Sequence, residues 1–117
     1  MNNMKKIHLD TDLGGDIDDI CALSMLLRCQ DTKLTGITVV GDTNGRRTGY
    51  TRYALKLEGR SDIPVAAGAD TSQGFYRYKL GLPQKDRYWP ESVTPSAAPK
   101  CAKAYGKNYV VLFAQIN

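Results

Sequence analysis

Five carboxylates fall within ten residues of this chain, in the run Asp10-Thr11-Asp12-Leu13-Gly14-Gly15-Asp16-Ile17-Asp18-Asp19. Like charges held a few ångström apart raise one another's pKa, so a folded chain keeps them ionised only by solvating them or by lodging a cation among them. Carboxylate oxygens are hard ligands, suited to calcium or magnesium. The run follows the apolar-leaning Ile7-His8-Leu9, where a first strand would end and a helix begin, and open α/β sheets bind ligands at that end of their strands. Helix capping offers a plainer origin: Asp favours N-caps, and an acid in a first helical turn gains about 0.3–1 kcal/mol from the macrodipole. Capping accounts for one or two of Asp16, Asp18 and Asp19. It leaves Asp10, Asp12 and the paired glycines unexplained, so the segment is read as the active centre.

Other chemistries fit these residues less well. No Gly-x-Gly-x-x-Gly follows the strand and no Walker A lysine is present, so phosphate cradling is unsupported. An EF-hand loop starting at Asp10 wants Gly at its sixth position and Glu at its twelfth; Gly15 fits and Cys21 does not. The lone His8, beside an apolar run, is read as a half-buried structural residue rather than a ligand. Cys21, Cys29 and Cys101 match no metal spacing and cannot all pair, which suits a reducing compartment. Cys21, inside a mostly apolar segment, is expected in the core.

The elements that must position the acids alternate along the chain. Residues 5–9 read as a strand, residues 17–29 as a helix apolar on most faces and hence buried, and residues 34–40 as a second strand. A second helix is expected over about 46–58, stopped near Gly59, then a short strand at 63–67 and a last β-rich run at 109–114. Strands alternating with helices imply βαβ units with right-handed crossovers. The expected fold class is α/β, an open and mostly parallel Rossmann-like sheet with flanking helices, incomplete at its C-terminus. Residues 69–97 lack periodicity and carry Tyr76, Tyr78, Tyr88 and Trp89 among glycines and prolines; they read as a long loop, docked on other sequence or covering a pocket.

The chain has 117 residues, 42% hydrophobic and 24% charged, with net charge +4, an ordinary composition for one small globular unit. Charge is uneven: residues 1–45 hold 4 Lys/Arg against 7 Asp/Glu, and residues 46–117 hold 12 against 5. Arg46, Arg47, Arg52, Lys56 and Arg60, interleaved with Tyr50 and Tyr53, suit a solvated helix face better than a nucleic-acid surface. There is no signal-peptide pattern and no run of about 18 apolar residues, so no membrane partner is expected and the cytoplasm is the default location.

Asp10-Thr11-Asp12, then glycine, then Asp18-Asp19 before Ala22-Leu23 resembles the N-terminal signature of the inosine-uridine-preferring nucleoside hydrolase family. The commoner form there is Asp-x-Asp-Pro-Gly-x-Asp-Asp; this chain has Leu13 for the proline and two extra residues, similar to a recurrent Gly-Gly-Asp-Ile-Asp-Asp variant. Gly36-Ile37-Thr38-Val39-Val40-Gly41-Asp42 resembles the family's second strand and its Gly-Asn turn. Tyr53-Ala54-Leu55 and Asp62-Ile63-Pro64-Val65-Ala66-Ala67-Gly68 resemble its second helix and third strand. The resemblance runs from about Lys5 to Gly68, weakens through Trp89-Pro90-Glu91 and fades beyond Lys100.

The resemblance implies calcium-assisted hydrolysis of the N-glycosidic bond of a ribonucleoside to ribose and base. Its transition state is oxocarbenium-like, as in glycoside hydrolysis generally. Asp12 would be general base and metal ligand, Asp19 a bidentate ligand, and Asp10 would support the metal cluster from its edge. Asp18 would accept hydrogen bonds from the ribose hydroxyls. Asp42 stands where the family has a ribose-contacting asparagine, and the change from amide to acid removes donors. The family is much longer than 117 residues, with its leaving-group acid and late metal ligands in a C-terminal half, so the expectation is a single N-terminal portion (1–117), truncated and little active alone, and a homo-oligomer if complete. Two other classes stand beside it: a haloacid-dehalogenase-like phosphatase, which also places Asp-x-Asp after its first strand, and a non-catalytic divalent-cation-binding module.

Overall fold

The computed structural model describes residues 4–42 and 45–68. In chain order it forms β1 (Lys5–Thr11), α1 (Ile17–Arg28), β2 (Thr32–Val39), α2 (Arg46–Leu57) and β3 (Val65–Ala67). The three strands make one parallel sheet in the order β1-β2-β3, an open α/β arrangement. Two right-handed crossovers that progress in the same direction put both helices on one face of the sheet. The Arg28–Glu58 ion pair, 2.6 Å, ties the C-terminal ends of the helices together there. The expected run at 109–114 and the loop at 69–97 lie outside the described residues.

A single bulge sets which side chains face the helices. Ile7 pairs with Leu34 but His8 pairs with Gly36, so Thr35 is the extra residue, and its hydroxyl donates to the Ile7 carbonyl at 2.9 Å. Skipping one residue resets the alternation of β2. Leu34, Ile37 and Val39 therefore all point inward, opposite Ile7, Leu9 and Thr11, while His8, Asp10 and Thr38 share the other face. The inward residues join Leu13, Leu23, Tyr50, Ala54, Leu55, Ile63 and Val65 in one core.

The strand and helix bounds differ from the sequence reading by at most two residues: β1 runs two further, through Asp10 and Thr11, and β3 is trimmed to three residues. Helix α2 stops at Gly59, φ 67°, where the Gly59 N–H donates to Lys56 O and the Arg60 N–H to Leu55 O. That pattern closes a helix on a left-handed residue and satisfies its last carbonyls.

Two expectations about burial fail. In α1 only Leu23 is buried, with Ile20, Leu26 and Leu27 packed on the core from the side; Ile17 and Met25 are about three-quarters exposed. Cys21 is exposed rather than in the core, because one face of α1 meets the sheet and the apolar residues around the rest of the helix find no neighbour among the described residues. Conversely, Arg47 and Tyr50 of the expected solvated face of α2 are buried, because that helix lies with its first turns directly over the strand ends.

Candidate functional site

Extension of β1 to Thr11 fixes the first two acids of the run by alternation. Asp10 falls on the face away from the helices, where the Thr38 hydroxyl donates to it at 2.6 Å. That hydroxyl has one proton, so at 2.9 Å it accepts from His8 Nε2, which assigns the proton on that nitrogen. Burial lowers the His8 pKa, while the Asp10 charge opposes the shift. His8 is thus half-buried, as its sequence context suggests.

Thr11 falls on the opposite face and is buried. Its hydroxyl accepts the Leu13 N–H at 3.1 Å and donates to Asp19 Oδ1 at 2.7 Å. Proline at position 13 would have no N–H to give, so the Leu13 departure from the commoner motif is put to use here. Asp12, just past the strand, brings its carboxyl within hydrogen-bond reach of Asp19. Burial is the main force raising the Asp19 pKa; the Thr11 hydroxyl opposes it, and the Asp12 hydrogen bond and the Asp12 and Asp18 charges add to the rise. Asp18 and Asp16 are exposed. Asp16 is the N-cap of α1 but makes no side-chain capping bond, so capping does not explain its presence.

The loop carrying these acids rests on the first turns of α2. Gly14 has φ +117° and a Cβ there would stand 2.5 Å from the Tyr50 ring; a Cβ on Gly15 would stand 3.6 Å from Arg47 Nη1. Gly14 is thus explained by both backbone sign and lack of space, whereas a side chain at Gly15 would meet only ordinary van der Waals contact. Arg47, 3% exposed, donates from Nη1 to the Asp12 carbonyl and from Nε to the Gly41 carbonyl, the latter at 3.2 Å. Sequence reading missed this residue because a lone arginine in a basic helix carries no sign of burial.

Asp42, 8% exposed, accepts the N–H groups of Arg47 and Thr48 at 2.9 and 3.0 Å and also the Thr48 hydroxyl. Its carboxylate satisfies the N-terminus of α2, which begins after Gly45. The structure therefore brings Asp12 and Asp19 together with Asp18 at their edge, places Asp10 on the other face, and gives Asp42 a helix to hold. Among the described residues no three His, Cys, Asp or Glu side chains converge as a metal set. A trough of about 790 Å³ lies between α1 and α2 and touches the acidic loop only through Gly14, Gly15 and Asp16; it is a gap between helices, not a cavity around the carboxylates.

Among solved structures, a plant nucleoside hydrolase matches this chain with 31% sequence identity and a TM-score of 0.53. The fold is nucleoside-hydrolase-like. The match covers 59% of this chain and 22% of the plant enzyme, so it extends over about a fifth of that enzyme's length. No protein-family model matches the chain, and no curated protein matches it. The likeness reaches the nucleoside hydrolase fold without singling out the inosine-uridine-preferring group. In a nucleoside-hydrolase-like sheet the acidic loop stands at the carboxyl end of the first strand, the end at which open α/β sheets take their ligands. Among the described residues no helix is long and apolar enough to cross a membrane.

Proposed function

We propose that the acidic loop is the metal-and-ribose end of a nucleoside hydrolase site, and that the whole protein hydrolyses the N-glycosidic bond of ribonucleosides to ribose and base. The observation that supports this reading best is the meeting of Asp12 and Asp19 at the end of β1 in a fold similar to a plant nucleoside hydrolase. Two carboxyls this close oppose each other's ionisation, and the chemistry of the pair fits a hard divalent cation. Calcium takes about six to eight oxygens, so these two side chains supply a partial set that binds weakly. Bound calcium would offset the carboxylate charges and acidify a nearby water.

The chain's own residues divide the remaining work. Asp12, just past the end of β1, takes a proton from water as general base. Asp19 is a metal ligand held in place by Thr11. Asp18, exposed beside them, accepts hydrogen bonds from ribose hydroxyls. Asp10, fixed by Thr38 on the other face of β1, stands apart from this pair. Asp42 already accepts three hydrogen bonds, and a carboxylate offers about four acceptor positions, so one is left for a ribose hydroxyl.

Titration calorimetry of the purified chain tests the metal assignment first. Calcium binding is expected, and Asp12→Asn and Asp19→Asn should each weaken it about tenfold or more. Equal heats for wild type and both variants would end the calcium reading. If the whole protein released phosphate from sugar phosphates and ignored nucleosides, the phosphatase class would replace the hydrolase.

A further inference from the structure

We propose that Arg47 is a positioning residue of the acidic site, an inference that rests on the reading of Asp12 and Asp19 as its working carboxylates. Its guanidinium joins the ends of two strands: Nη1 donates to the carbonyl of Asp12, just past β1, and Nε donates to the carbonyl of Gly41, just past β2. The side chain is anchored from behind. Its backbone N–H donates to Asp42 Oδ1 at 2.9 Å and its carbonyl accepts the Thr51 hydroxyl at 2.9 Å, so both of its main-chain groups are engaged within the start of α2.

This arrangement needs an arginine. Two carbonyls approached from different directions match a planar fork with five donors, whereas an ammonium is a point charge on a flexible stem. The fork is also permanently charged, and a buried charge must have partners; the carbonyls of Asp12 and Gly41 are two of them. Arg47 thereby holds the main chain of Asp12. With Gly15 lying against Nη1 and Gly14 against Tyr50, the loop from Leu13 to Asp16 is seated on two side chains one helical turn apart. Removal of the fork frees the Asp12 carbonyl and lets the loop turn the Asp12 carboxylate away from Asp19.

The test compares the full chain with Arg47→Lys, which keeps charge and most of the volume but loses the fork. Three quantities are read: the melting temperature, amide hydrogen exchange at Leu13–Asp16, and calcium affinity by calorimetry. The expected result is a folded variant whose loop amides exchange markedly faster and whose calcium affinity falls about tenfold, the scale on which groups behind a metal ligand act. A purely structural strut would instead lower the melting temperature and leave the affinity of the folded fraction unchanged, and that outcome overturns the proposal. Unchanged loop exchange in folded Arg47→Lys overturns it as well, whether or not calcium binds. If wild type binds no calcium while the variant's loop exchange rises, the metal reading falls and the hold of Arg47 on Asp12 stands. Should Arg47→Lys fail to fold, the same readings on Arg47→Gln, whose amide reaches one carbonyl, decide the matter.

Discussion

The turns after β1 and β2 each carry aspartate into a following helix, and they treat it in opposite ways. After β2, Asp42 is buried and surrounded by donors, three of them from the first turn of α2. After β1, Asp16 stands at the N-cap of α1 without making a capping bond, Asp18 is exposed, and Asp19 meets another carboxyl. The same residue type therefore stabilises one turn and strains the other. An acid satisfied by its own fold contributes stability; an acid set against its neighbour leaves an unmet demand for positive charge, which is how a binding site differs from a cap.

Substitution should separate the two turns cleanly. Asp42→Ala removes the acceptor of three buried or partly buried donors and is expected to destabilise by about 2–3 kcal/mol in urea unfolding, whereas Asp16→Ala should move stability by less than about 0.5 kcal/mol. Equal losses at the two positions would erase the distinction. Gly14→Ala comes next: the positive φ and the 2.5 Å approach to the Tyr50 ring predict a loss of about 1–3 kcal/mol, and an unchanged melting temperature would show that the loop does not sit on Tyr50.

The smallest effect has the opposite sign. Asp19 has its folded-state pKa raised, chiefly by burial, so the stability it contributes is fully present below the ordinary carboxylate range and is lost as pH rises through its raised value. Asp19→Asn keeps an oxygen for the Thr11 hydroxyl and has no charge to bury. In calcium-free buffer at neutral pH it should melt slightly above wild type, and the gain should vanish in acid below about pH 4, where wild-type Asp19 is protonated too. A variant less stable than wild type at neutral pH would show that the Asp19 charge is already compensated within the chain.

The alternating pattern of strands and helices was legible in the sequence because each element has its own period of apolar residues, and Gly59 marked a helix end correctly because only its backbone freedom suits that position. The acidic run stood out in the sequence because five like charges are conspicuous in any context. Its internal arrangement was not legible. Thr35 looks like any strand residue, and nothing local announces the bulge that turns Leu34 inward. Arg47 and Arg52 are indistinguishable in sequence, yet one is buried under the loop and the other is exposed, a difference made by where α2 lies on the sheet. The burial of α1 was misjudged for the same reason: apolar residues around a helix state what could be covered, and only tertiary placement states what is.

The contact between Arg47 and Asp12 joins residues 35 positions apart in the chain. Such a closure carries an entropic cost that grows with the length of chain it spans, and the packing of the intervening α1 and β2 helps to offset it. Without it the carboxylates of the acidic run are near in sequence and repel one another in an open chain, with no fork beneath them to set their spacing. Their geometry depends on the second crossover as much as on the run itself, and the acidic segment cut away from α2 is a string of charges.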